Sequence, residues 1–458
     1  MFKLYNLLRG EKMKNILMFK DVKNINFYKV LKFIIPTYLT ALFTTLYTIV
    51  DGIYVSQYVG TNALAAINIV YPIVNLLTGI AMMFAVGGSS LSSIYLGKND
   101  KTKANQMFQF CIVSSLIIGI IISWVILLYL SDILVFLGAT SITLDYCEIY
   151  IKIWLFGTIA IMLKEIFVYF IRIDGNPKIS FIVSASGGIL NIILDYIFVG
   201  KMSLGIFGAG IATILGLILS MILGIIYFIK YSNNIKFKIE KIKLNFLPPC
   251  IVNGSSEFIN QLAIAITTVV FNKTALTYAG DDGVAAVSII MYVQFIFLGI
   301  YTGYSMGISP LLGYNYGNKN KDVLIKLEKY SYRFFSIIPS VLYIISFIFA
   351  PLAVSFFATK GTNVYNLGVM GMRIYSIGYF FSGLSIFTAV RLTSYAKGQY
   401  SAVITSLRSF ILLILFLKIL PLFFDLNGMW MAVPFAEITT FIITLILIFK
   451  TKKIPRQI

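Results

Sequence analysis

The chain has 458 residues, of which 59% are apolar and only 12% are charged, and it has no histidine. A soluble protein of this length needs a larger charged surface, so the composition excludes a soluble globular protein and indicates one that faces lipid. The formal net charge of +19 fits either a nucleic-acid binder or a membrane protein with a basic cytoplasmic side.

Apolar segments recur along the whole chain. A helix needs about 20 residues to cross a hydrocarbon core about 30 Å thick, and each segment reaches that length. We therefore predict an all-α polytopic membrane protein with twelve transmembrane helices. The predicted helices lie at residues 31–57, 63–88, 104–130, 147–171, 179–199, 205–229, 247–278, 283–308, 330–355, 363–390, 400–421 and 428–449.

The basic residues are distributed unevenly around these helices. The N-terminal segment, the even-numbered loops and the C-terminal tail together contain 28 Lys and Arg residues, whereas the odd-numbered loops contain only Lys201, Lys360 and Lys418. Because basic loops remain in the cytoplasm, we predict that both termini are cytoplasmic. Anionic lipid then accounts for the net charge, and no nucleic-acid partner is expected.

The second half of the chain repeats the first at an offset of 220 residues. The glycines that coincide at this offset are Gly60 and Gly280, Gly79 and Gly299, Gly87 and Gly307, and Gly97 and Gly317. Six helices per half give both copies the same orientation, which makes the repeat a parallel one. The predicted domains are a cytoplasmic arm (1–30), an N-lobe (31–232), a cytoplasmic linker (233–246), a C-lobe (247–450) and a cytoplasmic tail (451–458).

Polar residues within the predicted helices of the N-lobe indicate a cation site. Asp51 lies near the outer end of the first helix, Asn191 and Asp195 share one face of the fifth, and Thr213 lies at similar depth in the sixth. Together they offer oxygen ligands for Na⁺, or two carboxylates that share a proton. The structural alternatives are a hydrogen bond between helices for the acids and a bond to its own backbone for Thr213. At the offset of 220, Asp51, Asn191 and Asp195 correspond to Phe271, Ile411 and Leu415.

Two residues suggest a gate and a substrate cavity. Pro36 lies within the first predicted helix, where a proline permits a kink that moves or a bend that is static. Glu257 either faces a central cavity and meets cationic substrates or caps a break after Pro248 and Pro249.

The remaining polar and small residues within helices have mainly structural interpretations. Arg373 and Glu437 lie at similar depth and are interpreted as an ion pair, and Lys273 as a side chain that reaches toward the outer surface. The roles of Lys164 and Glu165 stay open. Further structural interpretations concern close helix packing at Gly299, Gly303 and Gly307, and small hydrophobic side chains, rather than a disulfide or a metal site, at Cys111, Cys147 and Cys250.

Five segments of the chain are distinctive, namely PTYLTALFTTLYTIVDGIYVSQYVG (36–60), RIDGNPK (172–178), NIILDYIFVG (191–200), GAGIAT (208–213) and YNYGNKN (314–320). Together they resemble the multidrug and toxic compound extrusion (MATE) family. The resemblance is to the branch with the first-helix proline and aspartate, whereas the tenth-helix acid of another branch is not evident. It implies two six-helix lobes, export driven by Na⁺ or H⁺, and a cation site at Asp51, Asn191, Asp195 and Thr213, with the Ala209 carbonyl as a further candidate ligand.

These observations predict a cation-coupled antiporter of the cell inner membrane. It would export bulky, amphipathic, often cationic drugs or metabolites by alternating access, as a monomer among membrane lipids and without a cofactor beyond the coupling ion. A flippase of lipid-linked saccharides is the alternative transporter. A membrane-embedded transferase is the alternative of another class, and short outer loops and the lack of histidine argue against an enzyme. The sequence leaves open H⁺ or Na⁺, and the substrate.

Overall fold

A computed structural model describes residues 25–237 and 244–451. Most of the predicted N-terminal arm, the linker residues 238–243 and all but the first residue of the predicted tail lie outside these ranges. Within them the chain is helical throughout and has no β-strand. The helices that correspond to the twelve predicted spans are named α1 to α12.

The first half contains six helices. They are α1 (Phe27–Tyr58), α2 (Thr61–Gly97), α3 (Lys101–Leu128), α4 (Leu144–Phe156 and Thr158–Ile173), α5 (Pro177–Asp195) and α6 (Gly205–Lys230). The two parts of α4 meet at Gly157 with a bend of 54°. A π-helical turn, Tyr196–Lys201, extends α5 beyond Asp195.

The second half repeats this arrangement. A long helical segment, Leu247–Gly317, turns at Gly280 (φ 59°, ψ −152°), which divides it into α7 and α8. This backbone conformation favours glycine, because a side chain there would be strained. The remaining helices are α9 (Lys321–Ser355), α10 (Asn363–Tyr375 and Ile377–Ser394), α11 (Gly398–Ser406, the π turn Leu407–Ile411, and Leu412–Ile419) and α12 (Pro421–Thr451).

The predicted number of spans is confirmed. Nine helices in the described ranges are long and apolar enough to cross a membrane, and the bent α4 adds a tenth. The break at Gly280 makes one of them two, and the two-part α10 completes twelve. The chain is therefore an all-α, multi-pass membrane protein.

Two helices begin on the lobe opposite to their own. Phe246 and Cys250, at the start of α7, belong to the apolar core formed by α2 to α6. In the same way Ile25, Val30 and Phe33, at the start of α1, pack into the core around α8 and α9. The two lobes thus exchange the first turns of α1 and α7.

Glycines allow the lobes to touch backbone to backbone at the end that carries the basic loops. A Cβ atom on Gly97 would lie 2.0 Å from the carbonyl oxygen of Tyr314, and one on Gly317 would lie 2.0 Å from that of Ile94. A Cβ on Gly254 of α7 would lie 1.9 Å from the Met83 carbonyl of α2. This glycine seam closes the basic side of the molecule in this structure.

The predicted glycine packing on α8 holds at two positions of three. A Cβ on Gly303 would lie 2.7 Å from Tyr38 of α1, and one on Gly307 would lie 2.7 Å from Ile34. A Cβ on Gly299 would meet no other atom within 4 Å. The first two glycines are therefore packing residues, whereas Gly299 faces open space.

Two cysteines that are far apart in sequence meet in the structure. The Sγ atoms of Cys111 on α3 and Cys250 on α7 lie 3.9 Å apart, and both side chains are fully buried. All three thiols are free and buried in this structure. The contact was not predictable from the sequence, because it depends on the exchange of the first turns of α7.

The segment after α6 is attached to the N-lobe. The buried Asp174 carboxylate accepts hydrogen bonds from the Tyr227 hydroxyl (2.5 Å) and from the backbone N–H groups of residues 233, 234 and 235. Burial raises the pKa of Asp174, and these hydrogen bonds partly offset the effect. The start of the predicted linker therefore packs as part of the N-lobe.

Candidate functional site

A close crossing of α5 and α6 brings together two residues of the predicted cation site. A Cβ on Gly187 would lie 2.4 Å from the Gly216 carbonyl, so the two backbones are in direct contact. One turn away, Asn191 Nδ2 donates to Thr213 Oγ1 at 3.3 Å. Thr213 Oγ1 in turn donates to the Ala209 carbonyl at 3.0 Å, which is the backbone bond considered as its structural alternative.

The two acids meet beside this pair. Asp195 is fully buried at the end of α5, and its side chain interacts directly with that of Asp51 from α1. Neither oxygen of Asp195, nor Oδ1 of Asp51, nor Oδ1 of Asn191 receives a hydrogen bond from any described residue. The cluster therefore presents four buried acceptor atoms that receive no hydrogen bond, while its donors, Asn191 Nδ2 and Thr213 Oγ1, are directed to Thr213 and to the Ala209 carbonyl.

Tyr150 of α4 lies near this cluster, which the sequence did not indicate. Its side chain is 3% exposed and interacts electrostatically with both Asp51 and Asp195. A tyrosine in an apolar helix carries no distinguishing pattern, so only the packing of the first part of α4 against α2 and α6 could identify it.

The atoms of this cluster that could coordinate a cation are carboxylate, amide and hydroxyl oxygens. The described part of the chain contains no group of three or more His, Cys, Asp or Glu side chains able to hold a metal ion. Two carboxylates with neutral oxygens suit Na⁺ or a shared proton better than a transition metal.

A cavity of about 340 Å³ lies between the lobes. Its walls come from α1, α2, α4 and α5 on one side and from α7, α8, α10 and α11 on the other. Glu257 lines this cavity, so it faces the space between the lobes rather than capping a break at the start of α7. Lys164 and Glu165 form an ion pair of 2.5 Å in the opposite wall.

The predicted pair of Arg373 and Glu437 is wrong. Glu437 of α12 accepts a hydrogen bond from Arg408 Nε at 2.8 Å, because the π turn of α11 brings Arg408 against α12. The Arg373 guanidinium instead lies over the ring of Phe347, 5.3 Å from its centroid. A similar predicted depth in the membrane could not identify which helices are neighbours.

Lys273 is exposed, in keeping with its interpretation as a side chain that reaches the surface.

Pro36 lies where α1 packs on the opposite lobe. It is buried between Ile34 and Tyr38, the two residues that contact the glycines of α8. The α1 helix continues through this position, and Thr40 Oγ1 donates to the Pro36 carbonyl at 2.9 Å. In this structure the proline does not break the helix, and its role as a gate stays a prediction.

The offset of 220 does not hold through α11. The turn before α5 has its left-handed residue at Gly175 and the turn before α11 has it at Ala396, which lies 221 residues later. The π turn in α11 adds one more residue, so Leu417 (2% exposed) is the buried counterpart of Asp195. Leu415 is 45% exposed and Ile411 is 50% exposed. The predicted correspondence of Asp195 to Leu415 and of Asn191 to Ile411 is therefore wrong. The C-lobe counterpart is nevertheless still apolar.

Comparison with known proteins supports this architecture. The family model described as MatE matches residues 36–197 and again residues 257–419. A solved structure, the "Outward-facing conformation of a multidrug resistance MATE family transporter of the MOP superfamily", superposes with a TM-score of 0.90 at 20% identity, covering 98% of this chain and 100% of that one. The fold is thus that of a two-lobed membrane transporter.

Curated relatives match over most of the chain. The "Multidrug export protein MepA" of Staphylococcus saprophyticus is 25% identical over 437 residues, which are 91% of each chain. The MepA protein of Staphylococcus haemolyticus is 29% identical over 313 residues, which are 68% of this chain and 69% of that one. Because the two matches of the family model together cover more than half of the sequence, the chain belongs to the MATE family. It is a transporter and not an enzyme, so the transferase alternative is excluded.

Proposed function

We propose that the chain is a cation-coupled antiporter that exports amphipathic organic compounds from the cell. The observation that carries this proposal is the set of four buried acceptor atoms without a hydrogen-bond donor at Asp51, Asn191 and Asp195. Buried carboxylates without donors are unfavourable, and a bound cation or a shared proton compensates them. A site that is incomplete without a cation is what coupling to a cation gradient requires.

The substrate side of the proposal rests on the cavity and on the relatives. The cavity combines an apolar part, which includes Met82, Val168, Tyr169 and Met306, with a larger number of hydroxyl, amide and charged side chains, and such a mixed lining fits amphipathic ligands. The MepA relatives are named multidrug export proteins. We infer drugs or related metabolites as substrates, carried by a monomer in the cell inner membrane.

The flippase alternative receives less support. A lipid-linked saccharide carries phosphate groups, which unpaired basic residues would bind. Three basic residues line the cavity, but Lys164 is paired with Glu165 and Arg408 with Glu437. Most of the positive charge is therefore already neutralised.

Transport in proteoliposomes tests the proposal. Purified protein is reconstituted, and uptake or release of a fluorescent organic cation is followed under a Na⁺ gradient alone and under a pH gradient alone. We expect one of the two gradients to drive transport against the substrate gradient. Transport that ignores both gradients would contradict the antiport mechanism and leave a uniporter or a flippase.

The proposed orientation makes a separate prediction. Cysteines introduced at Asp281 and Lys360 should react with a membrane-impermeant maleimide added to intact cells, whereas one at Lys319 should react only after permeabilisation. A background without the three native cysteines removes interfering thiols. The reverse labelling pattern would place the basic loops outside and invalidate the inferred depth of the cation site.

A further inference from the structure

Most of the charged side chains that line the central cavity form ion pairs, but one basic and one acidic side chain do not. Five charged side chains line it, namely Lys164, Glu165, Arg172, Glu257 and Arg408. Lys164 and Glu165 pair with each other at 2.5 Å, and Arg408 pairs with Glu437 at 2.8 Å. Arg172 and Glu257 have no ion-pair partner among the described residues. Arg172 belongs to the N-lobe and Glu257 to the C-lobe.

The Arg172 guanidinium is held in one orientation. Its Nε donates to Ser180 Oγ at 3.1 Å, and its plane lies over the ring of Tyr169, 4.5 Å from the centroid. The side chain is only 5% exposed, yet its Nη1 has no acceptor within the described ranges. A fixed, buried donor of this kind is prepared for an anionic oxygen, because a guanidinium matches a carboxylate in charge and geometry.

Glu257 faces the same region from the other lobe. It makes no hydrogen bond or ion pair with the described residues, and it lines both the main cavity and a side space of about 20 Å³ that Arg172 also lines. Tyr169 and Met306 line the same side space as the two charged groups and supply apolar surface there. The two unpaired charges thus flank an apolar wall.

We propose that Arg172 and Glu257 form a two-point site for amphoteric organic molecules. The substrate's carboxylate binds Arg172, its protonated amine binds Glu257, and its apolar body lies against Tyr169 and Met306. Because one contact comes from each lobe, such a substrate bridges the lobes. This inference rests on the proposed export function and narrows its substrate class to compounds that carry both charges.

A matched pair of dyes tests the proposal. Rhodamine 110 has a free carboxylate and a cationic ring system, and rhodamine 123 is its methyl ester, which keeps only the positive charge. Binding to purified protein is measured by fluorescence anisotropy, and export is measured in proteoliposomes. We expect the wild-type protein to bind the acid more tightly than the ester. Arg172→Gln should weaken binding of the acid about tenfold and change binding of the ester less than about twofold, as for the loss of one charge-assisted hydrogen bond.

Three further variants separate recognition from folding. Arg172→Lys should retain part of the preference for the acid, and Glu257→Gln should weaken both dyes, since both are cationic. Arg373→Gln, which removes a positive charge outside the cavity, should change neither. Gel filtration and thermal melting identify variants that fail to fold.

The outcomes distinguish this inference from the proposed function. A wild-type preference for the ester, or equal effects of Arg172→Gln on both dyes, would overturn the two-point site while export of organic cations stands. No effect on either dye would mean that Arg172 only contacts water in the side space, which also overturns it. If the wild-type protein carries neither dye under any gradient, the proposed function fails, and this inference fails with it.

Discussion

Replacing either Asp51 or Asp195 with asparagine is expected to reduce cation-driven export to the background rate while leaving the protein folded in the membrane. The amide has the size of the carboxylate but no negative charge, and it brings an additional N–H donor into a cluster in which four acceptor atoms lack a hydrogen-bond donor. The variant therefore satisfies the pocket internally and removes its need for a cation. Substrate export under the active gradient and protein level in the membrane are the two measurements.

Controls for this prediction come from the same lobe. Asp145→Asn changes an exposed acid near the start of α4 and should leave export unchanged. Asn191→Ala should weaken export without abolishing it, because the carboxylates remain. Full export by both aspartate variants would exclude this cluster as the coupling site, and Glu257 would then be the next acid to examine.

The repeat supplies a stricter version of the same experiment. The C-lobe core holds Phe271 and Leu417 where the N-lobe holds Asp51 and Asp195, and both C-lobe residues are 2% exposed. The double change Asp51→Phe with Asp195→Leu should give a folded protein that binds substrate but does not release it when cation is added. Cation-dependent release in this variant would show that coupling occurs elsewhere.

Gly317→Ala is expected to cause the second large loss, through the conformational equilibrium rather than the chemistry. The added Cβ would lie 2.0 Å from the Ile94 carbonyl, so the glycine seam cannot close without moving a backbone. Overpacking of this kind costs about 1–3 kcal/mol, which shifts an equilibrium between conformations by about 5- to 150-fold. We expect slower export and a molecule that spends more time open on the side of the basic loops.

Gly299→Ala is the matched control, since it lies on the same helix and its Cβ would meet nothing within 4 Å. Export rates of the two variants, with spin-label distances across the seam, decide the question. Equal export by Gly317→Ala and the wild-type protein would show that the seam is not a contact that must close during transport.

The sequence predicted the features that depend on hydrophobicity and on the cost of charge in lipid. The number of helices follows from the apolar segments. Asp51 and Asp195 could be singled out because acids are rare in such segments, and the structure does bring them together. Each of these predictions depends on the sequence of a single helix and not on how the helices pack together.

What the sequence missed depends on which helices are neighbours. Tyr150 and the contact of Cys111 with Cys250 become visible only when α4 and α7 are in place. The partner of Glu437 was misassigned because the π turn of α11 rotates Arg408 toward α12, and a local change of helical geometry leaves no clear pattern in the sequence. The repeat offset is already 221 at Ala396, and the same turn adds one more residue, which changes the counterpart of Asp195.

Because the lobes exchange their first turns, the two ends of α1 pack against different lobes. Fifteen residues separate Pro36 from Asp51, which is about 22 Å along a helix. One end is anchored against the C-lobe through Ile34 and Tyr38, and the other presents its carboxylate to α5 of the N-lobe. A push or rotation that the proposed cation binding imposes at Asp51 would therefore be delivered directly to the far lobe, without a relay of side chains across the cavity.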